Sequence, residues 1–197
     1  MFTHPTIGGV FCNTGKEMPE TLEFVRDCEK HWGVPIIWLE YAGKKQYKVV
    51  NYDTASRNGE PFEQLITDKS YLPNMVARFC TSELKVLTIE RYLKDQGITE
   101  WETAVGIRAD EPRRVGKMRQ KEGYLTPLAD KGITSQDVIE FWSVQNFDLQ
   151  LPTSGFYSNC DLCFLKGYGI KQSLVNENDQ LANWWADQEM RINARFR

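Results

Sequence analysis

Long apolar runs are missing from this sequence. None approaches the ~20 residues that a membrane-crossing helix needs, so no transmembrane segment is expected. The opening residues, Met1 to Val10, lack a basic stretch followed by an apolar core, so no secretory signal is expected either. Excess basic charge is also missing. A net charge of -3 excludes a generally basic nucleic-acid binder and leaves room only for a local basic groove. Cysteine is sparse and odd in number, five in 197 residues. That excludes a disulfide framework and points to a reducing cytoplasm, with metal or redox use of the thiols. Histidine is scarcer still: His4 and His31 stand far apart with no ligand spacing. No G-x-S-x-G elbow occurs, so a serine hydrolase is not supported. No internal repeat and no low-complexity linker interrupts the chain.

What is present is an ordinary globular composition, 41% hydrophobic and 26% charged. The length suits one α/β domain with a real core. Residues 7–12 read as a short buried strand. Asn13-Thr14-Gly15-Lys16-Glu17 is a turn, and Pro19 opens a helix with Glu20 in its first turn. Residues 34–41 are a second apolar strand, which makes a βαβ unit and a parallel sheet. The turn is either a plain connection or a set of free backbone N–H groups that suits a phosphate-like anion. Tyr47–Tyr52 reads as an edge strand, and residues 62–72 as a short helix. A further helix is expected to start at Pro73-Asn74 and another to run from Thr81 to about Gly97. Residues 103–107 form a further buried strand. Thr134 to Asp137 offers caps for a helix, and the tail from Asp179 is a final amphipathic helix packed by its tryptophans.

Two stretches carry chemistry. The first is Cys160-Asp161-Leu162-Cys163, whose two sulfurs can face one metal or cluster. It reads equally as a reduced pair without metal. Cys80 stands at a predicted helix start, where the macrodipole favours a thiolate; the plain alternative is a small buried hydrophobe. Together, Cys80, Cys160 and Cys163 could hold zinc with one outside ligand, or an iron–sulfur cluster with one iron open. The second stretch is Arg108-Ala109-Asp110-Glu111-Pro112-Arg113-Arg114. It follows a strand at the edge where open parallel sheets gather ligands, and it reads as an anion site or as a solvated charged loop. A division near residue 123 separates a sheet-forming part, 1–123, from a cysteine-bearing part, 124–197.

Asn13 to Thr21 resembles the DTGxxFPET stretch of phosphoadenosine phosphosulfate (PAPS) reductase-like proteins. Arg78 to Lys85 resembles their R-C-C-x-x-x-K helix start, and Gly106 to Arg114 their G-x-R-x-x-E/Q loop. Pro127-Leu128, Leu151-Pro152 and Gly155 to Cys160 follow the order of their C-terminal region. The form is similar to short versions found in phages and bacteria. The resemblance implies an adenine nucleotide α-hydrolase-like fold: α/β, with a doubly wound, mostly parallel sheet. It implies an adenine nucleotide or sulfonucleotide as ligand, with Thr14 and Gly15 near the nucleotide and Arg108, Arg113 and Arg114 near its phosphate or sulfate. Arginine suits such oxyanions through paired hydrogen bonds.

Two departures shape the expectation. The family's first strand and its S-G-G-K-D-S phosphate loop have no counterpart, so the chain is expected to be a fragment, a split product or a degenerate homologue, with a partner chain as one source of the loop. The E-C-G-x-H nucleophile is absent, and Phe79 replaces the first of a paired Cys-Cys, leaving three of four cluster ligands. Three functions follow. One is sulfur or redox chemistry on an adenine nucleotide at a [4Fe-4S] site. Another is an inactive or partner-dependent nucleotide-binding relative. The third is a structural zinc site with Cys80, Cys160, Cys163 and a histidine or water.

Overall fold

The computed structural model describes residues 8–151 and 160–192. These fall into two compact units, one within Met1–Leu93 and Leu149–Arg197, the other Lys94–Asp148. The contacts therefore divide the chain elsewhere than at residue 123, and the cysteine-bearing segment belongs with the first sheet.

In the first unit, β1 (Gly9–Asn13) pairs in parallel with β2 (Ile36–Tyr41), and β2 pairs antiparallel with β3 (Tyr47–Val50). The crossover between β1 and β2 is α1 (Pro19–Trp32). Proline occupies its first turn, and Gly33 ends it at φ 61°, a left-handed conformation that suits glycine. Alternation along β2 points Trp38 to one face and Leu39 and Tyr41 to the other. Trp38 packs with Leu22 of α1 and with Ala55. Tyr41 joins a second cluster with Phe62, Leu65 and Ile66 of α2 (Glu60–Lys69). Full burial of such a side chain contributes roughly 1.5–3 kcal/mol. The sheet thus has one parallel pair and one antiparallel edge strand, a mixed α/β arrangement with a small parallel component.

After α2 the expected helix at Pro73-Asn74 does not form. The Asn74 side chain accepts the N–H groups of Val76 and Ala77, both at 2.9 Å. This local turn uses donors that a helix would need. Helix begins instead with α3 (Phe79–Thr81), widens into a π-helical turn (Ser82–Val86), and continues as α4 (Leu87–Asp95). The buried Thr88 hydroxyl donates to the Glu83 carbonyl at 2.8 Å across the widened turn. Gly97 closes the segment at φ 74°.

The second unit is built around a two-residue parallel ladder, β4 (Thr103–Ala104) with β5 (Tyr124–Leu125). The expected strand 103–107 stops early because Ile107 N–H turns back to the Val105 carbonyl at 2.9 Å. The unit also holds α5 (Pro112–Arg119), α6 (Pro127–Asp130) and α7 (Ser135–Ser143). Thr134 and Asp137 form a reciprocal capping box on α7.

The first unit closes with α8 (Tyr168–Glu177), which the sequence reading does not foresee, and α9 (Gln180–Arg191). Leu162, Leu174 and Trp185 bring the cysteine segment and these two helices into the Tyr41 core. Among the described residues, no helix is long and apolar enough to cross a membrane.

Candidate functional site

The site begins at the carboxyl ends of β1 and β2. Their register sets Asn13 beside Glu40, and both are fully buried. Asn13 Nδ2 donates to Glu40 Oε1 at 2.6 Å and to the Ser56 carbonyl at 2.8 Å. Glu40 also accepts from Ser56 N–H and Oγ. A buried carboxylate needs such donors, and this set fixes where the chain leaves the sheet.

The turn beyond it is satisfied from within. Gly15 N–H donates to Asn13 Oδ1 at 3.0 Å, Lys16 N–H to Thr14 Oγ1 at 3.3 Å, and Thr14 N–H and Oγ1 both donate to Glu17 Oε2, at 2.8 and 2.7 Å. The expected free N–H groups at Thr14 and Gly15 therefore have internal acceptors. Gly15 has φ 73°, and a Cβ there would stand 2.9 Å from Gly59 N. Only glycine fits that close approach.

The cysteine segment is fastened to this turn. Glu17 and Cys160 form an isolated antiparallel bridge. Asp161 N–H donates to the Lys16 carbonyl at 2.9 Å, and Lys16 Nζ pairs with Asp161 Oδ2 at 2.6 Å, both side chains nearly buried. The Lys16 ammonium also stands 4.7 Å from the Trp184 ring centroid. Asp161 Oδ1 accepts from Leu162 N–H and from Trp185 Nε1. Lys166 Nζ donates to the carbonyls of Cys160 and Asp161.

This fastening brings Cys80, Cys160 and Cys163 to the walls of one cavity of about 230 Å³, with Thr14, Arg78, Lys85 and Phe164 among its other residues. Two segments 80 residues apart in the chain thus meet, as the proposed three-thiol set requires. The thiols do not converge on a single point: among the described residues, no three His, Cys, Asp or Glu side chains stand ready to hold one metal ion. His4 and Gly155 to Asn159 lie outside the described residues, and His31 is exposed in the last turn of α1.

Burial governs the thiols. It pushes Cys160 up to about 12, with Glu17 adding to the shift and Lys85 opposing it. Burial also raises Cys80, outweighing its hydrogen bonds from Thr81. Burial thus works against the thiolate expected at the Cys80 helix start. Lys85 Nζ stands 3.7 Å from Glu17 Oε1. Burial would lower Lys85, but Glu17, then Cys160, Cys12 and Cys80, raise it. Burial pulls Glu17 upward against Lys85 and Thr14, so the shifts of the two partners favour opposite charge states. The geometry sides with an ion pair, because two Thr14 donors hold the carboxylate form.

A second cavity, about 540 Å³, opens on the same turn and is lined by Gly15, Lys16, Glu17, Arg57 and Asp161, among others. The arginine loop lies in the other unit. Arg108 Nε donates to Asp110 Oδ1 at 2.9 Å, and Arg114 pairs with Glu111. Arg108 and Arg114 hold both acids below their usual range. Arg113 is exposed. Two of the three predicted anion-binding arginines are thus engaged by their own loop.

Lys16, Glu17, Glu40, Lys85 and Asp161 were not singled out from sequence. Glu40 carried a signal, as a lone charge in an apolar strand. The others gain their meaning from partners distant in the chain.

The phosphoadenosine phosphosulfate reductase domain family matches residues 2–126, a range that holds the turn, Cys80 and the arginine loop but ends before Cys160. A protein of Escherichia phage lambda, described as an uncharacterized nin region protein, ORF290, is 33% identical over 170 residues. The alignment covers 80% of this chain and 56% of that protein, so the chain spans about half the length of its relative. No solved structure matches. On the extent of the family match and the order of its motifs, this chain belongs to the phosphoadenosine phosphosulfate reductase domain family.

Proposed function

We propose that the chain performs sulfur or redox chemistry linked to an adenine nucleotide, with Cys80, Cys160 and Cys163 as the protein ligands of an iron–sulfur cluster. The observation that carries this is the meeting of the three thiols on one cavity. A single zinc ion draws its sulfurs to ~2.3 Å from one point, and the described side chains are not so gathered. A cluster presents separate iron corners to separate cysteines, which suits thiols spread around a cavity wall. When bound, the cluster would supply an iron with no protein ligand, open to a sulfur atom of the substrate.

The chain's own residues supply the surroundings. Lys85 and Arg78 place cations beside the thiols, and positive charge favours the thiolates that ligation needs. The larger cavity falls within the ~300–1,000 Å³ typical of ligand pockets. A nucleotide there would lie against Gly15 and Arg57 in its wall, with the Arg57 guanidinium held by the Ala55 and Tyr52 carbonyls. Within the other unit, the exposed Arg113 is the proposed oxyanion contact of the arginine loop.

The test is the metal content of the whole chain purified without oxygen. Iron with matching acid-labile sulfide and a broad visible absorption is expected. Colourless protein without iron, or zinc without sulfide, would overturn the cluster.

A second reading keeps the nucleotide and drops turnover, with the phosphate-cradling backbone supplied by a further segment or partner chain. The internal satisfaction of the Thr14–Glu17 turn favours it. Calorimetric titration with AMP and ATP separates the two: binding by the isolated chain supports the first, and no heat supports the second.

A further inference from the structure

The Lys16–Asp161 pair joins the turn after β1 to the cysteine segment. Lys16 sits in the turn beside the nucleotide-sized cavity, where a lone lysine would be taken for an anion ligand. Its ammonium is instead committed to Asp161, at 2.6 Å and almost out of solvent, 10% and 7% exposed. Asp161 lies inside the cysteine pair itself. We propose that Asp161 is a positioning residue, and that the buried Lys16–Asp161 pair is a latch that sets Cys160 and Cys163 against Cys80.

Three observations support the latch. Asp161 makes contacts in three directions: Oδ2 to Lys16, Oδ1 to Trp185 Nε1, and Oδ1 to the N–H of Leu162. The backbone repeats the connection, through Asp161 N–H to the Lys16 carbonyl and the Glu17–Cys160 bridge. The lysine is confined from its far side by the Trp184 ring, and Trp184 in turn leaves no room for a side chain at Gly59. A loop held at so many points has few conformations left, and both thiols are fixed with it.

A buried ion pair is weak evidence of stability, because its desolvation offsets its attraction. Its best-attested use is to specify one arrangement over others. The latch therefore acts on where the sulfurs stand more than on whether the chain folds. It also removes Lys16 from the charges available to a ligand; Arg57, which lines the same cavity, donates to the Ala55 and Tyr52 carbonyls.

The inference deepens the proposed cysteine site and rests on that reading for its purpose, but it is measurable in metal-free protein. The experiment follows alkylation of each cysteine by iodoacetamide, using mass spectrometry, in the reduced, metal-free chain. Asp161→Asn leaves a buried ammonium unpaired and is expected to lower stability as well. The decisive variant is therefore Lys16→Met with Asp161→Asn together. It buries no lone charge and retains an acceptor for Leu162 N–H and Trp185 Nε1. Its thermal midpoint is expected to return close to that of the unmodified chain. Cys160 and Cys163 are expected to react about tenfold faster, as about 1.4 kcal/mol of easier local opening would give, with Cys28 unchanged. Lys16→Arg is expected to keep the protection. If the double variant protects both cysteines as well as the unmodified chain does, or if Asp161→Asn lowers stability without changing either rate, the latch is wrong. Iron and sulfide in unmodified protein are measured separately, so absence of metal counts against the cluster and leaves the latch to the alkylation rates.

Discussion

Gly15 and Gly59 show how single residues hold the site together. Each has positive φ, 73° and 88°, and each is closely approached by a neighbour: a Cβ at Gly15 would meet Gly59, and a Cβ at Gly59 would stand 2.6 Å from the Trp184 ring. Gly33 also has positive φ but faces open space. The three positions separate backbone strain from crowding. Gly33→Ala is expected to destabilise by about 1–2 kcal/mol, the left-handed penalty alone. Gly59→Ala adds overpacking and is expected to lose roughly 2–4 kcal/mol. Urea midpoints of the two variants check the ranking; equal losses would mean that Trp184 moves aside freely. Tyr41 gives the pH prediction. Its hydroxyl donates to Asp68 Oδ2 at 2.7 Å. Burial first, then Asp68, raises its pKa above the ordinary tyrosine value. The folded chain keeps this proton after the unfolded chain has released it. The stabilising contribution is therefore complete below pH ~10 and declines as pH rises through the folded value. Tyr41→Phe is expected to flatten the loss of urea stability above about pH 10; an unchanged slope would assign that loss to other groups.

Elements differ in how openly the sequence declares them. The β1–turn–α1–β2 unit was legible because apolar strands flank a helix with proline at its first turn and glycine at its end. The α7 cap was legible in Thr134 and Asp137 for the same local reason. The false helix start at Pro73 shows a local competitor: the Asn74 side chain captures two N–H groups before a helix can use them. The short β4 shows the limit of apolar runs, since Val105 and Ile107 look like strand but close a tight turn. The helix carrying Cys80 and Lys85 contains a π-helical turn, a feature that often marks functional segments. Thr88 steadies it with its bond to the Glu83 carbonyl. Thr88→Val keeps the shape and removes the hydroxyl donor to the Glu83 carbonyl. A loss of about 0.5–1.5 kcal/mol is expected. Hydrogen exchange should show faster opening across Ser82–Val86, whereas unchanged protection there would assign the turn's stability to packing alone.

Across the whole molecule, the three thiols were nameable from sequence, but their meeting was not readable from spacing. Cys160 and Cys163 announce themselves as a pair. Cys80 joins them only because the core draws Leu84, Leu162 and Leu174 into one cluster. The latch was less legible still, since nothing local links Lys16 to Asp161. The arginine loop was legible as a charged stretch, yet Asp110 and Glu111 already answer two of its arginines. The proposed cluster therefore turns on a long-range placement, that Cys80 lines the same cavity as the 160/163 pair. The most direct test is the iron bound by Cys80→Ser, purified without oxygen beside the unmodified chain and Cys160→Ser. Loss of iron and sulfide in Cys80→Ser to the same extent as in Cys160→Ser is predicted. A Cys80→Ser protein that keeps the full iron and sulfide of the unmodified chain would contradict the account.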